Sequence, residues 1–258
     1  MHAAERDRVI LNLLEEQRFV SFRELSRRLS ASAATLRRDL ERLQEAGKLK
    51  RVRGGAQIGT AEIAGFHLQG VPFNENVNRN RAAKEAIGKA AAELCRAGEA
   101  VIIDGGSTTL QMCPHLEPLR LQVLTNSLHI VGALLQQPNT GVSIPGGVVF
   151  REQNIVLDPF VDAGTRTFHA SRMFIGAAAV SRFGLMQSDI ILVQAERKLL
   201  NLAEQLIALI DSSKFAASAG HLLCELSRVH TLITDNRIDT ASAKMIESAG
   251  VELVTVDF

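Results

Sequence analysis

The sequence predicts an α/β protein in two parts: a small helical unit carrying a basic hairpin, then a larger, mostly parallel α/β domain. Three observations carry that expectation. The first is charge. The 258 residues sum to a formal net charge of +1, yet residues 1–60 hold 13 Lys and Arg against 8 Asp and Glu, and residues 61–258 hold 16 against 20. A compact basic unit on a mildly acidic body points to a nucleic-acid module joined to something else. The second is helical periodicity in the first 46 residues. The third is the alternation of short apolar runs with helical stretches from residue 100 onward.

Composition excludes several classes. Hydrophobic residues make up 46% and charged residues 22%, a globular balance that argues against wholesale disorder. No apolar run reaches the ~18 residues a membrane helix needs. Charges stand near the N-terminus where a signal peptide would carry its apolar core, so a cytoplasmic protein is expected. Cys95, Cys113 and Cys224 form no CxxC pair, which suits free thiols in a reducing compartment.

Three helices are expected first. Val9, Ile10, Leu13 and Leu14 lie on one face of helix one. Ser21-Phe22-Arg23-Glu24 reads as a capping box opening helix two, with Phe22, Leu25 and Leu29 as its buried stripe. Ser32 is a good N-cap for helix three, whose Leu36, Leu40 and Leu43 recur at i, i+4 and i+7. Thr35, Arg37 and Arg38 therefore cannot all face inward, and the arginines are left for solvent or a partner. Only Ser30-Ala31 separates helix two from the cap of helix three, a helix-turn-helix spacing. Residues 47–58 then read as a small hairpin turning at Gly54-Gly55, with Lys48, Lys50, Arg51 and Arg53 as a basic wing for the phosphate backbone or minor groove.

These residues resemble a family. Ser32-x-x-Thr35-Leu36-Arg37-Arg38-Asp39-Leu40, after an arginine-led first helix that begins at Arg6, is similar to the DNA-binding signature of the DeoR family of bacterial transcriptional regulators. The stretch GKLKRVRGGA resembles that family's wing. The resemblance implies a winged helix-turn-helix over residues 1–58 that binds double-stranded operator DNA. Arg37 is then expected at base edges, and Arg38 and the wing at phosphates.

Residues 59–80, mixed and polar, read as a linker. From Arg81 a helix is expected to about Arg96, with Ile87, Ala90, Ala91 and Leu94 on one face and Gly98 at its end. Apolar runs follow at 100–103, 122–124, 142–144, 173–175, 206–210, 231–233 and 253–254. Helical stretches at 108–116, 127–137, 191–204 and 239–249 lie between most of them. Such alternation predicts a Rossmann-like, mostly parallel sheet over residues 81–258, with its ligand beyond the carboxyl ends of the strands.

The first strand leads into Asp104-Gly105-Gly106-Ser107-Thr108-Thr109. Its glycines, free amides and hydroxyls suit an anion. It is neither a GK[ST] phosphate loop nor a GxGxxG dinucleotide fingerprint, so no cofactor is expected. Thr125-Asn126-Ser127, Gly146-Gly147 and Lys214 of Asp211-Ser212-Ser213-Lys214 follow later strands and are expected to line the same cavity. The histidines show no metal-ligand spacing, and no catalytic set can be assembled.

Here too the DeoR resemblance continues. DGGSTT, TNSLHIV, the PGG turn and DSSKF fall in family order, and Pro72-Phe73, Asn80, Lys84 and Ile87 match the helix that leads into its effector domain. That domain is similar in fold to ribose-5-phosphate isomerase, so the resemblance implies a sugar-phosphate effector, a homo-oligomer and a repressor of carbohydrate utilisation. Two departures stand out. Gly176-Ala177-Ala178-Ala179-Val180 lacks the isomerases' carboxylates, and Asn76 replaces an arginine common in the family. The rival expectation is an active isomerase fused to a DNA-binding unit, with Asp104 and Glu196 as its only possible bases. For Glu196, within Ala195-Glu196-Arg197-Lys198, the simple expectation is an exposed helix face.

Overall fold

The computed structural model describes residues 3–17, 19–29, 31–45, 49–52, 55–58, 71–157 and 167–258. The chain divides into two compact units, Met1–Phe66 and His67–Phe258.

In the first unit, α1 (Ala3–Gln17), α2 (Phe22–Leu29) and α3 (Ala33–Glu45) form where the apolar spacing predicts them. The cap of α2 is made as expected: the Glu24 amide donates to Ser21 Oγ at 3.2 Å. The Thr35 amide likewise donates to Ser32 Oγ at 3.2 Å, satisfying a donor that the first turn of α3 leaves open. Strands β1 (Phe19–Ser21), β2 (Leu49–Val52) and β3 (Gly55–Ile58) form an antiparallel sheet in the order β1-β3-β2. The hairpin was legible and β1 was not, since three residues are too few to show a period. Gly55, expected in the turn, opens β3 opposite Val52. Leucines from all three helices close one core with Val20 of β1, Leu49 of β2 and Ala56 of β3.

Asp39 sits on the inner side of α3 and is buried. It accepts from Arg6 Nε at 2.7 Å and from Arg42 Nη2 at 3.2 Å. Arg42 also forks onto Asp7 of α1 at 2.7 and 2.8 Å. This charge lattice pins α3 to α1. Burial alone would raise the Asp39 pKa, but the hydrogen bonds from Arg6 and Arg42 outweigh it and hold the carboxyl below its ordinary value. A depressed carboxyl stabilises the fold above the ordinary Asp pKa and loses that contribution as pH falls below about 4. Asp39→Ala is therefore expected to cost about 1.5–3 kcal/mol at neutral pH and to weaken the acid dependence of the first unit. Urea unfolding at pH 7 and pH 4 measures both. An unchanged midpoint contradicts the pinning role.

The second unit opens with α4 (Phe73–Asn76) and α5 (Arg81–Glu93), then β4 (Ala100–Ile103), β5 (Gln122–Leu124), α6 (Leu128–Leu134) and β6 (Gly141–Ser143). A hairpin of β7 (Val148–Phe150) and β8 (Ile155–Leu157) follows, then β9 (Ala170–Ile175), β10 (Ala179–Ser181), β11 (Gly184–Gln187) and α7 (Ile190–Leu200). The chain ends through β12 (Ala203–Leu209), β13 (His221–Cys224), β14 (Thr231–Asp235), α8 (Thr240–Ser248) and β15 (Glu252–Val256). Seven strands in the order β15-β14-β12-β9-β4-β5-β6 make one sheet, and every pair in it is parallel. All seven apolar runs of the sequence are in it.

Both faces of this sheet are covered, which is why its strands read as unbroken apolar runs. Ile102, Met173, Ile175 and Ala208 enter one core, while Val101, Ile103, Phe174 and Leu209 enter the other. Two antiparallel pieces went unread: the β7–β8 hairpin and a β10-β11-β13 sheet. In the latter, Gly184 (φ +142°) lies so near β13 that a Cβ would stand 1.9 Å from the Cys224 carbonyl, so only glycine closes it.

The expected linker needs correction. Residues 59–70 lie outside the described residues, but Val71–Asn80 belong to the second unit. Phe73 is buried, stacks on His129 with centroids 4.1 Å apart, and donates its amide to the Glu152 carbonyl at 3.0 Å. One buried ring fixes a segment whose polar composition reads as a connection. The helix expected at 108–116 is a 3-10 helix, Thr109–His115.

Candidate functional sites on the winged helix and at the carboxyl edge of the sheet

On α3, the turn of the helix that buries Leu36, Asp39 and Leu40 leaves Arg37 and Arg38 exposed. Ser32 and Thr35 build the helix start, their hydroxyls 2.9 Å apart. The Arg37 guanidinium lies 5.9 Å from the centroid of the Phe22 ring, which limits its freedom at the exposed face. Arg51 of β2 is tied back to α3: its amide donates to Gln44 Oε1 at 2.9 Å and its guanidinium lies 3.4 Å from Glu41. Lys48, Arg53 and the side chain of Lys50 lie outside the described residues.

In the second unit, a cavity of about 430 Å³ opens where β4, β9 and β12 end. Its floor is the predicted loop. The Gly105 amide donates to Asn126 Oδ1 at 2.7 Å, and Asn126 Nδ2 donates to Asp104 Oδ1 at 2.9 Å. The Gly106 amide donates to Thr109 Oγ1 at 2.9 Å, which itself donates to the Asp104 carbonyl at 2.7 Å. A Cβ on Gly105 would meet Ile155 Cγ2 at 2.5 Å, so the loop lies against β8 only because that position has no side chain. Among the described residues, the Ser107 and Thr108 amides have no hydrogen-bond acceptor.

Asp104, Gly105, Gly106, Ser107, Thr108 and Lys214 line the cavity as expected. Thr109, Thr125, Asn126 and Ser127 stand behind its wall: Ser127 caps α6, and Thr125 Oγ1 accepts the Ser127 amide at 3.1 Å. Gly146 and Gly147 do not line it. They follow β6, the edge strand two places from β4, and order in the chain is not order in the sheet.

The structure adds residues that sequence reasoning did not place in the site. Lys84 of α5, only 1% exposed, donates from Nζ to Ser107 Oγ at 2.9 Å and to the Asn76 carbonyl. Burial pulls its pKa down to about 8, with nearby Asp211 opposing the shift. Asn80, in the left-handed conformation at φ 52°, donates to Asp211 Oδ1 at 2.8 Å. Asp235 Oδ2 accepts the Ser212 amide at 2.7 Å and so fixes the loop that carries Lys214.

Glu196 corrects the sequence reading. It is buried, lines the cavity and accepts from Gln187 Nε2 at 2.9 and 3.0 Å. Burial and the facing Asp104 carboxylate push its pKa well up. The signal was present: Val193, Glu196 and Leu200 share one face of α7 at i, i+3 and i+7. Asp104 is itself raised by burial, with the Asn126 hydrogen bond opposing.

Residues 6–62 match the DeoR-like helix-turn-helix domain, and residues 79–236 match the DeoR C terminal sensor domain. The chain belongs to the DeoR family. It is a DNA-binding transcriptional regulator with a sensor domain. Over 257 residues, 99% of this chain and the full length of the relative, it is 32% identical to the HTH-type transcriptional regulator UlaR of Shigella dysenteriae serotype 1, and equally to that of Salmonella newport. Ribose 5-phosphate isomerase A from Methanocaldococcus jannaschii superposes with a TM-score of 0.39 at 17% identity, covering 53% of this chain and 55% of that one. Translation initiation factor eIF-2B from Pyrococcus horikoshii OT3 does so with a TM-score of 0.39 at 18% identity, covering 59% and 52%.

Because Lys84 titrates near 8 in the folded regulator and near its ordinary 10.5 when unfolded, the unfolded chain binds more protons between those values. Its contribution makes stability rise with pH in that window. Denaturation of the full chain at pH 7.5 and 9.5 is expected to show this rise, and Lys84→Met is expected to remove it. A rise of equal size in both contradicts the assignment.

Proposed function

We propose that this regulator is a cytoplasmic repressor of a carbohydrate-utilisation operon. It binds double-stranded operator DNA as a homodimer or homotetramer, and a sugar phosphate or related phosphorylated metabolite in the cavity weakens that binding. The observation that carries the ligand class is the loop at the carboxyl end of β4, with open amides at Ser107 and Thr108. Lys214 and Arg79 line the same cavity and Lys84 stands behind its wall. Amides and cations about a glycine-rich turn suit a phosphate. The arginines left exposed on α3, and Lys48, Lys50, Arg51 and Arg53 of the wing, supply DNA contact.

Two or more winged helices spaced by about 34–36 Å per helical turn would give operator affinity. A ligand can change that affinity only by binding two arrangements of the copies unequally. Binding proceeds without conversion: Gly176, Ala177 and Ala178 bring no carboxylate to the cavity. The Asp104–Glu196 pair favours the rival reading of an isomerase. Against it, Gln187 donates to both Glu196 oxygens, so that carboxyl is engaged rather than free to act as the base for enolisation.

Fluorescence anisotropy with DNA from upstream of the gene tests the reading. The parent is expected to bind and to be released by a member of a sugar-phosphate panel. Arg37→Ala is expected to cost ~1–3 kcal/mol and relax specificity at one position, and Arg38→Ala to weaken all sequences alike. In Gly106→Val, whose new side chain would press on Thr109 Oγ1, 3.0 Å from an added Cβ, DNA binding should persist and release should fail. Normal release in that variant, or turnover of the ligand above a heat-killed control, contradicts the proposal.

A further inference from the structure

The cavity wall carries two kinds of polar group. The loop after β4 and Lys214 bring amides and a cation. Two buried carboxyls, Asp104 from the end of β4 and Glu196 from α7, line the same cavity. Each is fixed from its own side. Gln187 Nε2 donates to both Glu196 oxygens, and Asn126 Nδ2 donates to Asp104 Oδ1. Two carboxyls in contact cannot both carry charge in a buried site. Burial and the nearby Asp104 both raise the pKa of Glu196, which favours its protonated form, while the Asn126 hydrogen bond opposes the rise that burial causes at Asp104.

Such a pair has a defined taste. A carboxylate offers about four lone-pair sites, and the contact from Asn126 leaves acceptor capacity on Asp104. Hydroxyl groups can give their protons to that capacity. A phosphate dianion brings charge of the same sign, so it is disfavoured beside that carboxylate.

We propose that Asp104 and Glu196 read the hydroxyl-bearing end of the ligand and so orient it, phosphate toward Ser107 and Lys214, polyol toward the carboxyl pair. This rests on the sugar-phosphate reading of the cavity. It makes Glu196, which the sequence left on an exposed face, a specificity-determining residue of the sensor.

Calorimetry on the full chain with inorganic phosphate and with ribitol 5-phosphate tests it, since the second probe adds a hydroxylated chain to the same anion. In the parent, ribitol 5-phosphate is expected to bind tighter than phosphate by about tenfold or more. In Glu196→Leu, phosphate affinity is expected to stay and the advantage to shrink to about threefold or less. Glu196→Gln is expected to keep the advantage, because an amide donates to Asp104 and accepts from Gln187 as the neutral carboxyl does. Should leucine disturb the fold, seen as lost phosphate binding, Glu196→Ala repeats the comparison with space opened rather than filled. Full advantage in the leucine or alanine variant overturns the proposal, as does a parent that binds both probes equally. A glutamine variant that loses as much as leucine overturns the placement of the proton. A parent that binds phosphate-bearing probes not at all overturns the phosphate reading of the cavity, and this inference with it.

Discussion

The buried ammonium of Lys84 is the constraint on which the cavity at the carboxyl edge of the sheet depends. A charged amine out of water needs acceptors on every side that water has left. Here they are the Asn76 carbonyl and the Ser107 hydroxyl. Those two groups come from different elements: one from the segment that opens the second unit, the other from the loop after β4. Meeting the needs of one cation therefore fixes the relative position of two cavity walls. Asn126 completes the frame by bracing Gly105 and Asp104 at once.

The first unit uses the same device with the sign reversed. Asp39 is the buried ion there, and Arg6 and Arg42 are its partners. Satisfying it fixes α3 against α1 and sets which face of α3 carries Arg37 and Arg38 outward. In both units the surface proposed for binding is shaped by a buried charge behind it, rather than by the exposed groups themselves. Such arrangements are costly to break because the remaining charge is left without a partner.

The sheet was legible in the sequence because strands covered on both faces are continuous apolar runs, and all seven stood out. The helix caps at Ser21 and Ser32 were legible for a local reason: the capping hydroxyl and its amide lie three residues apart. What failed was non-local. The order of strands sets β6 two places from β4, so Gly146 and Gly147, the third polar strand end in the chain, do not reach the cavity. Val71–Asn80 read as a linker because its partners, Glu152 and His129, are dozens of residues away. Glu196 read as exposed because two charged neighbours masked its place on the apolar face of α7. The acceptors that bury Lys84 and the carboxyl that faces Glu196 likewise come from distant segments.

The proposed sensing mechanism requires that an anion settle beside the Lys84-braced loop. Calorimetric titration of the full chain with ribitol 5-phosphate at pH 8, in two buffers of different ionisation enthalpy, counts the protons exchanged on binding. Lys84 is pulled down to about 8 by burial, and a neighbouring phosphate would raise it again. Binding should therefore draw a substantial fraction of a proton from the buffer, and Lys84→Met should bind without that uptake. Tight binding with no proton uptake by the parent, or equal uptake by the methionine variant, would contradict the account.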